Sequence, residues 1–163
     1  MKNPVIIDTN VPIVANGKNT HADLKCIESC VDTLIAVQQV NKVLVDHSGF
    51  ILDEYSDYLS FKGQPGVGDA FFKWLWDNQA NPEVCIQVDI SSDDEDGNEF
   101  SIFPDDPDLE KFDRSDRKFV AVALTSGVNP PILNATDSDW FHFLAAFGKH
   151  GVVIEFICPH LMK

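Results

Sequence analysis

Acidic side chains follow two of the apolar segments of this chain, at points where their oxygen atoms could bind a metal ion. Asp8 comes directly after residues 5–7, and Asp137 and Asp139 come shortly after residues 132–135. Both segments have the apolar composition of short buried strands. Hard cations such as Mg²⁺ take oxygen ligands from few carboxylates, because they keep several bound water molecules. These three residues are therefore candidates for a divalent-metal site.

Two more acidic groups belong to helical segments. Glu54 lies in a predicted helix over residues 50–61, and Asp116 precedes the apolar run of residues 119–124. A pair of divalent ions ~3.5–4 Å apart can activate a water molecule and stabilise the leaving oxygen of an in-line displacement. That chemistry requires carboxylates from distant segments to meet at one place. Taken alone, each of these acids has the simpler interpretation of a helix cap or turn residue.

The elements that would position these acids alternate between strand and helix. The sequence predicts strands at residues 5–7, 43–45, 84–88, 131–135 and 152–154, and helices at residues 22–40, 50–61, 67–78 and 139–147, with a further helix that stops at Gly127. Strands that alternate with helices predict a mainly parallel sheet covered on both faces. We therefore expect one domain over residues 1–163, with a three-layer α/β/α fold. In such sheets ligands bind at the carboxyl ends of the strands, where Asp8 and Asp137 are expected.

The order and the neighbours of these acids resemble the motifs of PIN-domain nucleases. Residues 5–11 look like the opening motif, a strand that ends in Asp-Thr-Asn, and residues 134–140 look like the last motif, in which Asp-x-Asp-aromatic follows a strand. Residues 51–55 resemble the second motif, with Glu54 at the metal-facing position. Residues 116–123 resemble the third, an Asp that opens an alanine-rich helix. The similarity covers nearly the whole chain, and its first and last motifs are the more specific ones.

The resemblance implies a site made of four carboxylates. The catalytic and metal-binding quartet would consist of Asp8, Glu54, Asp116 and Asp137. The metal would be Mg²⁺ or Mn²⁺, and Asp139 would support the quartet or bind a second ion. Thr9 and Asn10 would make hydrogen bonds around Asp8 and the scissile phosphate.

The third acidic position has two candidates, and basic residues surround it. The distance from Asp116 to the apolar run favours Asp116 as the ligand, whereas Asp113 suits a helix cap. Arg114, Arg117 and Lys118 form the basic cluster beside them. These three residues are candidates for contacts with substrate phosphates, and they fit equally well as the solvated charges of a first helical turn.

The function that the resemblance implies is endonucleolytic hydrolysis of phosphodiester bonds, with single-stranded or structured RNA as the expected substrate. A toxin, a defence effector and an RNA-processing enzyme all fit. Toxins of this family are inhibited by a partner, so an antitoxin or other protein partner is expected besides RNA, and a homodimer is the expected oligomer. The alternative is a non-catalytic PIN-like module that binds a protein or a nucleic acid. A phosphatase with an aspartate nucleophile is disfavoured, because Asn10 stands where such enzymes have a second acid.

The negative charge of the chain is concentrated in one stretch. Eleven acidic residues and one lysine lie from residue 89 to residue 113, so this stretch carries −10 of the net charge of −14. Nucleic-acid binding draws on Lys and Arg, so the charge argues against tight, non-specific binding of long duplexes. Residues 89–108 are predicted to form an acidic loop or insertion, held by Phe100, Ile102 and Phe103. This segment could be solvated, could repel nucleic acid from one edge, or could dock a basic partner.

The remaining composition points to a reduced, intracellular environment. The four cysteines, at positions 26, 30, 85 and 158, are expected to be reduced and buried, without the spacing of a zinc site. No segment is apolar and long enough to span a bilayer, and the apolar run near residue 5 is too short for the core of a signal peptide. We therefore expect a cytoplasmic protein that does not use a membrane.

Overall fold

A computed structural model, which describes residues 2–163, contains one five-stranded sheet. The strands are β1 (Asn3–Ile7), β2 (Asn41–Asp46), β3 (Cys85–Val88), β4 (Ile132–Asn134) and β5 (Ile154–Phe156). They run in the order β3-β2-β1-β4-β5, and all four pairs of neighbours are parallel. The chain therefore builds the sheet from β1 to β3 in one direction and then crosses to β4 on the other side of β1. The reversal lies between β1 and β4, and ligands bind at such points in open α/β sheets.

Helices cover both faces of this sheet. The α-helices of residues 2–163 are α1 (Asn10–Ala15), α2 (Leu24–Val40), α3 (Phe50–Tyr58), α4 (Val67–Asp77), α5 (Arg117–Ser126), α6 (Ser138–His142) and α7 (Leu144–Lys149). Helices α1, α2 and α4 pack against one another, whereas α5 packs on α3 and on β2, β3 and β4. The predicted three-layer α/β fold is confirmed, with a sheet that is parallel throughout. Over the described part of the chain, none of these helices has the length and apolar composition needed to cross a membrane.

The core extends along both sides of the central strands. Val43, Leu44 and Val45 are consecutive residues of β2, and all three are fully buried. Side chains of a strand point alternately to its two faces, so consecutive burial means that both faces are covered. This explains why these strands are unbroken apolar runs in the sequence. The buried polar groups of the central strands lie where the strands end, as at Asp8 after β1 and Asp46 at the end of β2.

Besides shifts of up to three residues at the ends of other elements, three elements differ from the sequence prediction. Helix α1 was not predicted; it is six residues long, and Pro12 lies in its first turn, where a proline is tolerated. The single helix predicted over residues 139–147 is interrupted at Phe143, although the Phe147 N–H still donates to the Phe143 carbonyl at 3.0 Å. The last strand begins at Ile154. Val152, its predicted first residue, donates its N–H to the Phe147 carbonyl at 3.1 Å and so belongs to the end of α7.

The acidic segment, residues 89–108, packs against the body of the protein through part of its apolar content. Phe100 and Phe103 are buried, as predicted, but Ile102 is 42% exposed and does not hold the segment. Gly97 has a φ of +71°, and a Cβ atom built there would lie 2.5 Å from the Phe50 ring. The segment therefore touches the first residue of α3 closely enough to require glycine at position 97.

The expectation that all four cysteines are reduced is wrong for two of them. Cys26 in α2 and Cys158 after β5 are joined by a disulfide, with their Cα atoms 5.3 Å apart. Cys30 and Cys85 are free and buried. The two bonded residues are 132 positions apart, so their proximity comes from the fold and not from any local spacing. The bond connects α2 to the C-terminal residues 157–163.

Candidate metal centre

Three carboxylates meet at the reversal point between β1 and β4. Asp8 follows β1, Asp137 follows β4, and Asp116 immediately precedes α5. One ligand oxygen of each residue lies within 4.8 Å of the others. Asp8 is 4% exposed and Asp116 is 8% exposed, while Asp137 is half-buried. The structure thus brings together three of the four predicted ligands, which we call the carboxylate trio.

Asn10 fixes the position of Asp8. Its backbone N–H and its side-chain Nδ2 both donate to Asp8 Oδ1, at 3.0 and 2.9 Å. Nδ2 also donates to Asn134 Oδ1 at 2.8 Å, and Asn10 Oδ1 accepts the N–H of Ala135 at 2.8 Å. Asn10, predicted as a substrate contact, therefore links the carboxyl ends of β1 and β4. It holds together the segments that carry Asp8 and Asp137.

Trp140 binds the other oxygen of Asp8. Its indole Nε1 donates to Asp8 Oδ2 at 2.7 Å, and the side chain is fully buried. Phe112 and Phe147 surround the indole, with ring centroids 4.9 and 5.6 Å away. The sequence analysis assigned no role to this residue, and its only signal was an aromatic residue directly after the Asp-x-Asp pattern. Both oxygens of Asp8 are thus oriented, and each keeps lone pairs for a further ligand.

The two acids that competed for the third position have separate places. Asp113 Oδ1 accepts the Ser115 N–H at 2.9 Å and caps the short 3-10 turn Arg114–Asp116. Asp116 is the buried last residue of that turn and belongs to the trio. This placement agrees with the choice of Asp116 as the ligand and of Asp113 as the cap.

Asp137 has two roles, and Asp139 lies apart. Asp137 Oδ1 accepts the Asp139 N–H at 3.0 Å, which caps α6 and orients the carboxylate. Asp139 is half-buried and does not belong to the group of oxygens within 4.8 Å. The structure therefore brings the backbone of Asp139 onto Asp137 but does not include the Asp139 carboxylate in the trio.

The trio is electrostatically unbalanced. Burial raises the pKa of Asp8, and the nearby charges of Asp137 and Glu54 raise it further, against the hydrogen bonds that lower it. Burial likewise raises the pKa of Asp116, with added repulsion from Asp8 and Asp137. Within residues 2–163, no ion pair includes a member of the trio. Buried like charges without a counter-charge favour either a bound proton or a bound cation.

The donor set fits a hard divalent cation. All the atoms that meet are carboxylate oxygens, which are the ligands that Mg²⁺ and Mn²⁺ prefer. Three carboxylates leave other coordination positions for water or a phosphate oxygen, as such ions require. The arrangement could therefore hold one ion and present it to a ligand in the cleft.

Glu54, the fourth predicted ligand, lies beside the trio without joining it. It is a half-buried residue of α3, and its charge acts on the pKa of Asp8. Glu54 Oε1 accepts a hydrogen bond from Lys118 Nζ at 2.9 Å, and Oε2 accepts one from the hydroxyl of Thr9. Both oxygens are thus engaged by groups of the protein. Thr9, predicted as a substrate contact, lines the cleft but donates its hydroxyl to Glu54.

The three residues predicted to contact phosphate differ in how accessible their side chains are to solvent. Lys118 is buried, with its ammonium on Glu54. Arg117 lies over the Phe103 ring at 4.4 Å and donates to the Phe112 carbonyl at 3.1 Å. The Arg114 side chain is 73% exposed, although it pairs with Glu99 at 2.8 Å. Of the three, Arg114 is the one that solvent, and hence a ligand, reaches most readily.

A cleft of about 780 Å³ opens over the trio. Besides the acids, it is lined by His21, His160 and Lys163, which the sequence analysis did not associate with the site. His160 Nε2 lies 2.9 Å from Asp23 Oδ2. No local pattern could have revealed His160 and Lys163, because the C-terminal segment reaches the cleft only through the fold.

Comparisons with protein-family models, with curated proteins and with solved structures found no match. The geometry and chemistry of the carboxylate trio therefore carry the functional interpretation.

Proposed function

We propose that this chain is a PIN-like nuclease that hydrolyses phosphodiester bonds in single-stranded or structured RNA with Mg²⁺ or Mn²⁺. One observation carries the proposal: the trio of Asp8, Asp116 and Asp137 converges from three distant segments at the floor of an open cleft. Burying acids next to one another costs stability unless a cation offsets their charge. An arrangement that is unfavourable for folding and sits where α/β sheets bind ligands supports a functional role.

The residues of the proposed site have different roles. Asp8, Asp116 and Asp137 would hold the metal. When bound, it would polarise a phosphate oxygen and supply a water-derived nucleophile at neutral pH. Asn10 and Trp140 donate to the two oxygens of Asp8 and so keep its carboxylate in one orientation. The cleft of about 780 Å³ is within the size range of ligand pockets, and it admits a nucleotide.

The first test is cleavage of labelled single-stranded RNA and DNA in Mn²⁺, Mg²⁺ or EDTA. Wild type would be compared with Asp116→Asn and with the matched control Asp113→Asn, which makes the same change three residues away on a cap outside the trio. Changes around metal ligands cost ~10–100-fold, so loss of a ligand should lower cleavage by about 100-fold or more. Wild type and Asp113→Asn should cut RNA with metal only. Equal cleavage by the two variants would overturn the assignment of Asp116.

The engagement of Glu54 by Lys118 favours a second candidate, a non-catalytic PIN-like binding module. A module of this kind would bind RNA or protein through the cleft without turnover. Calorimetry distinguishes the two functions: a nuclease releases or absorbs heat as Mn²⁺ binds and loses that signal in Asp116→Asn, whereas a binding module gives no Mn²⁺ signal in either protein.

The biological setting that we propose is a toxin, a defence effector or an RNA-processing enzyme acting in the cytoplasm, where the Cys26–Cys158 disulfide would be an exception among mostly reduced thiols. The acidic segment would then suit a basic arm of an antitoxin or other protein partner. A homodimer is the proposed assembly. Sedimentation of the purified chain, alone and with a co-expressed partner, tests both statements.

A further inference from the structure

Lys118 is a buried cation beside the proposed metal centre. It is the second residue of α5, and its side chain is 6% exposed. Its Nζ donates to Glu54 Oε1 at 2.9 Å and also to the backbone carbonyl of Ser115. A buried ammonium is unfavourable unless it is paired and hydrogen-bonded, and Glu54 and the Ser115 carbonyl supply these partners.

Glu54 stands between this ammonium and the trio. Its second oxygen accepts from Thr9, the residue that directly follows Asp8, and Glu54 lines the same cleft as Asp116 and Asp137. To bind a metal ion, Glu54 would have to exchange its bond with Lys118 for a bond with the ion. An ion placed there would also meet the charge of the ammonium.

We propose, on the basis of the proposed function, that the ammonium group of Lys118 occupies the place of a second divalent ion at Glu54. The trio then binds one ion, and Glu54 binds none. The pair Lys118–Glu54 is neutral, so it adds no attraction for another cation. One ion with charge +2 reduces the charge of the three carboxylates from −3 to −1. A second ion would lack the further carboxylate that a two-metal centre needs.

Lys118 is then a positioning residue and not a solvent-exposed contact for phosphate. Its charge sets the number of ions in the centre, and it acts through Glu54. Arg114 and Arg117 do not share this arrangement, because their guanidinium groups pair with Glu99 and with the carbonyls of Glu110 and Phe112.

The test counts Mn²⁺ ions per chain, by calorimetry and by electron paramagnetic resonance of free Mn²⁺. Wild type should bind one ion. Lys118→Met has a similar length and no charge, so it should free Glu54 and raise the count to two. The double variant Lys118→Met with Glu54→Gln removes the pair without leaving an unpaired charge. It should bind one ion, with an affinity within about threefold of wild type, below the ~10–100-fold cost of disturbing a metal site.

Each other result contradicts a specific statement. Two ions in wild type, or one ion in a folded Lys118→Met, would overturn the role of Lys118 and leave the nuclease proposal intact. No ion in wild type would remove the proposed function together with the inference. If thermal melts show that Lys118→Met does not fold, the double variant decides: an affinity more than about tenfold below wild type would make Glu54 a ligand and overturn the inference.

Discussion

Hydrogen bonds from neighbouring side chains determine where Asp8 can point. Asn10 binds Oδ1 from two donors, and Trp140 binds Oδ2 at 2.7 Å. A metal ligand depends on such outer partners, because a rotated carboxylate no longer converges with the others. At the residue scale, the centre therefore extends beyond the acids to an amide and an indole.

Replacing Trp140 tests this dependence. In Trp140→Phe the ring remains aromatic, but Asp8 Oδ2 loses its donor. We expect Mn²⁺ affinity to fall about tenfold or more, and the free energy of unfolding to fall by about 1–2 kcal/mol. Calorimetry and urea denaturation measure the two effects. Trp76→Phe is the matched control, since Trp76 is 38% exposed and lies outside the cleft. Equal Mn²⁺ affinities for the two variants would contradict the role of Trp140.

The sequence contains more information about the acids than about their partners. Asp8, Asp116 and Asp137 could be predicted, because each stands at a recognisable junction of strand, turn or helix. The bond from Trp140 to Asp8 joins residues 132 positions apart, and the one from Lys118 to Glu54 spans 64 positions. Local patterns do not encode which distant side chains pair. The resemblance of residues 51–55 to a family motif predicts Glu54 as a ligand, but it contains no information about the bonds of Glu54 with Lys118 and Thr9.

Among the elements, the junction from β2 into α3 sets the position of Glu54. The Asp46 side chain is buried at the end of β2 and accepts the N–H groups of Phe50 and Ile51, both at 2.8 Å. Gly49, with a φ of 92°, makes the turn between them. One carboxylate thus satisfies the first donors of α3 and fixes the start of the helix that carries Glu54.

Removal of the Asp46 carboxylate should destabilise the folded protein. In Asp46→Ala two N–H groups of α3 lose their acceptor, one of them in a buried bond. We expect the free energy of unfolding to fall by about 1–3 kcal/mol in urea denaturation. Asp57→Ala, an exposed change near the end of the same helix, should leave it within about 0.5 kcal/mol. A loss no larger in Asp46→Ala than in Asp57→Ala would show that the cap is not needed.

The elements that the sequence predicted well are those with long apolar patterns. Helix α2 and strand β2 bury continuous or periodic apolar faces, which local composition reveals. Helix α1 has only six residues and contains Pro12, so it shows no complete period. The start of β5 was misplaced because Val152 is apolar in either element, and a backbone hydrogen bond decides which one it joins.

The acidic segment is attached to α7 by two carboxylates, Asp106 and Asp108, of which Asp106 is the less exposed. Asp106 Oδ2 lies 2.9 Å from His150 Nε2 and 3.0 Å from Lys149 Nζ. The hydrogen bond from His150, with others from the Asp108 N–H and Lys149, holds the pKa of Asp106 well below its usual range. An acid with a lowered pKa contributes stability above its ordinary pKa and loses it as the pH falls.

Asp106→Asn should loosen this attachment. We expect limited proteolysis within residues 89–108 to become several-fold faster at pH 7, because locally opened segments are cleaved first. Asp105→Asn removes the same charge from an exposed neighbour and should be cleaved like wild type. Gel electrophoresis over a time course measures the rates. Identical rates for both variants would mean that Asp106 does not hold the segment.

For the whole molecule, the buried acids couple stability to pH and to metal. The pKa values of Asp8 and Asp116 are raised in the folded protein, chiefly by burial. The folded state therefore binds more protons than the unfolded chain above about pH 4, the usual pKa of an aspartate. Stability of the metal-free protein must then fall as the pH rises from 5 to 8. The net charge of −14 acts in the same direction through general repulsion, so a matched comparison is needed to isolate the site.

Asp116→Asn and Asp113→Asn provide that comparison, because each removes one negative charge and only the first belongs to the trio. Thermal melts in EDTA should show that Asp116→Asn flattens the decline between pH 5 and 8. Asp113→Asn removes only one of the lesser causes of the raised Asp116 pKa, so it should keep most of the slope of wild type. At pH 7.5, Mn²⁺ at 100 times its dissociation constant should stabilise wild type and Asp113→Asn by about 2.7 kcal/mol and should leave Asp116→Asn unchanged. Parallel slopes in EDTA would assign the decline to the overall charge. An equal response of both variants to Mn²⁺ would show that the metal binds elsewhere. The expected pair of results would show that the bound ion offsets the free-energy cost of burying these acids.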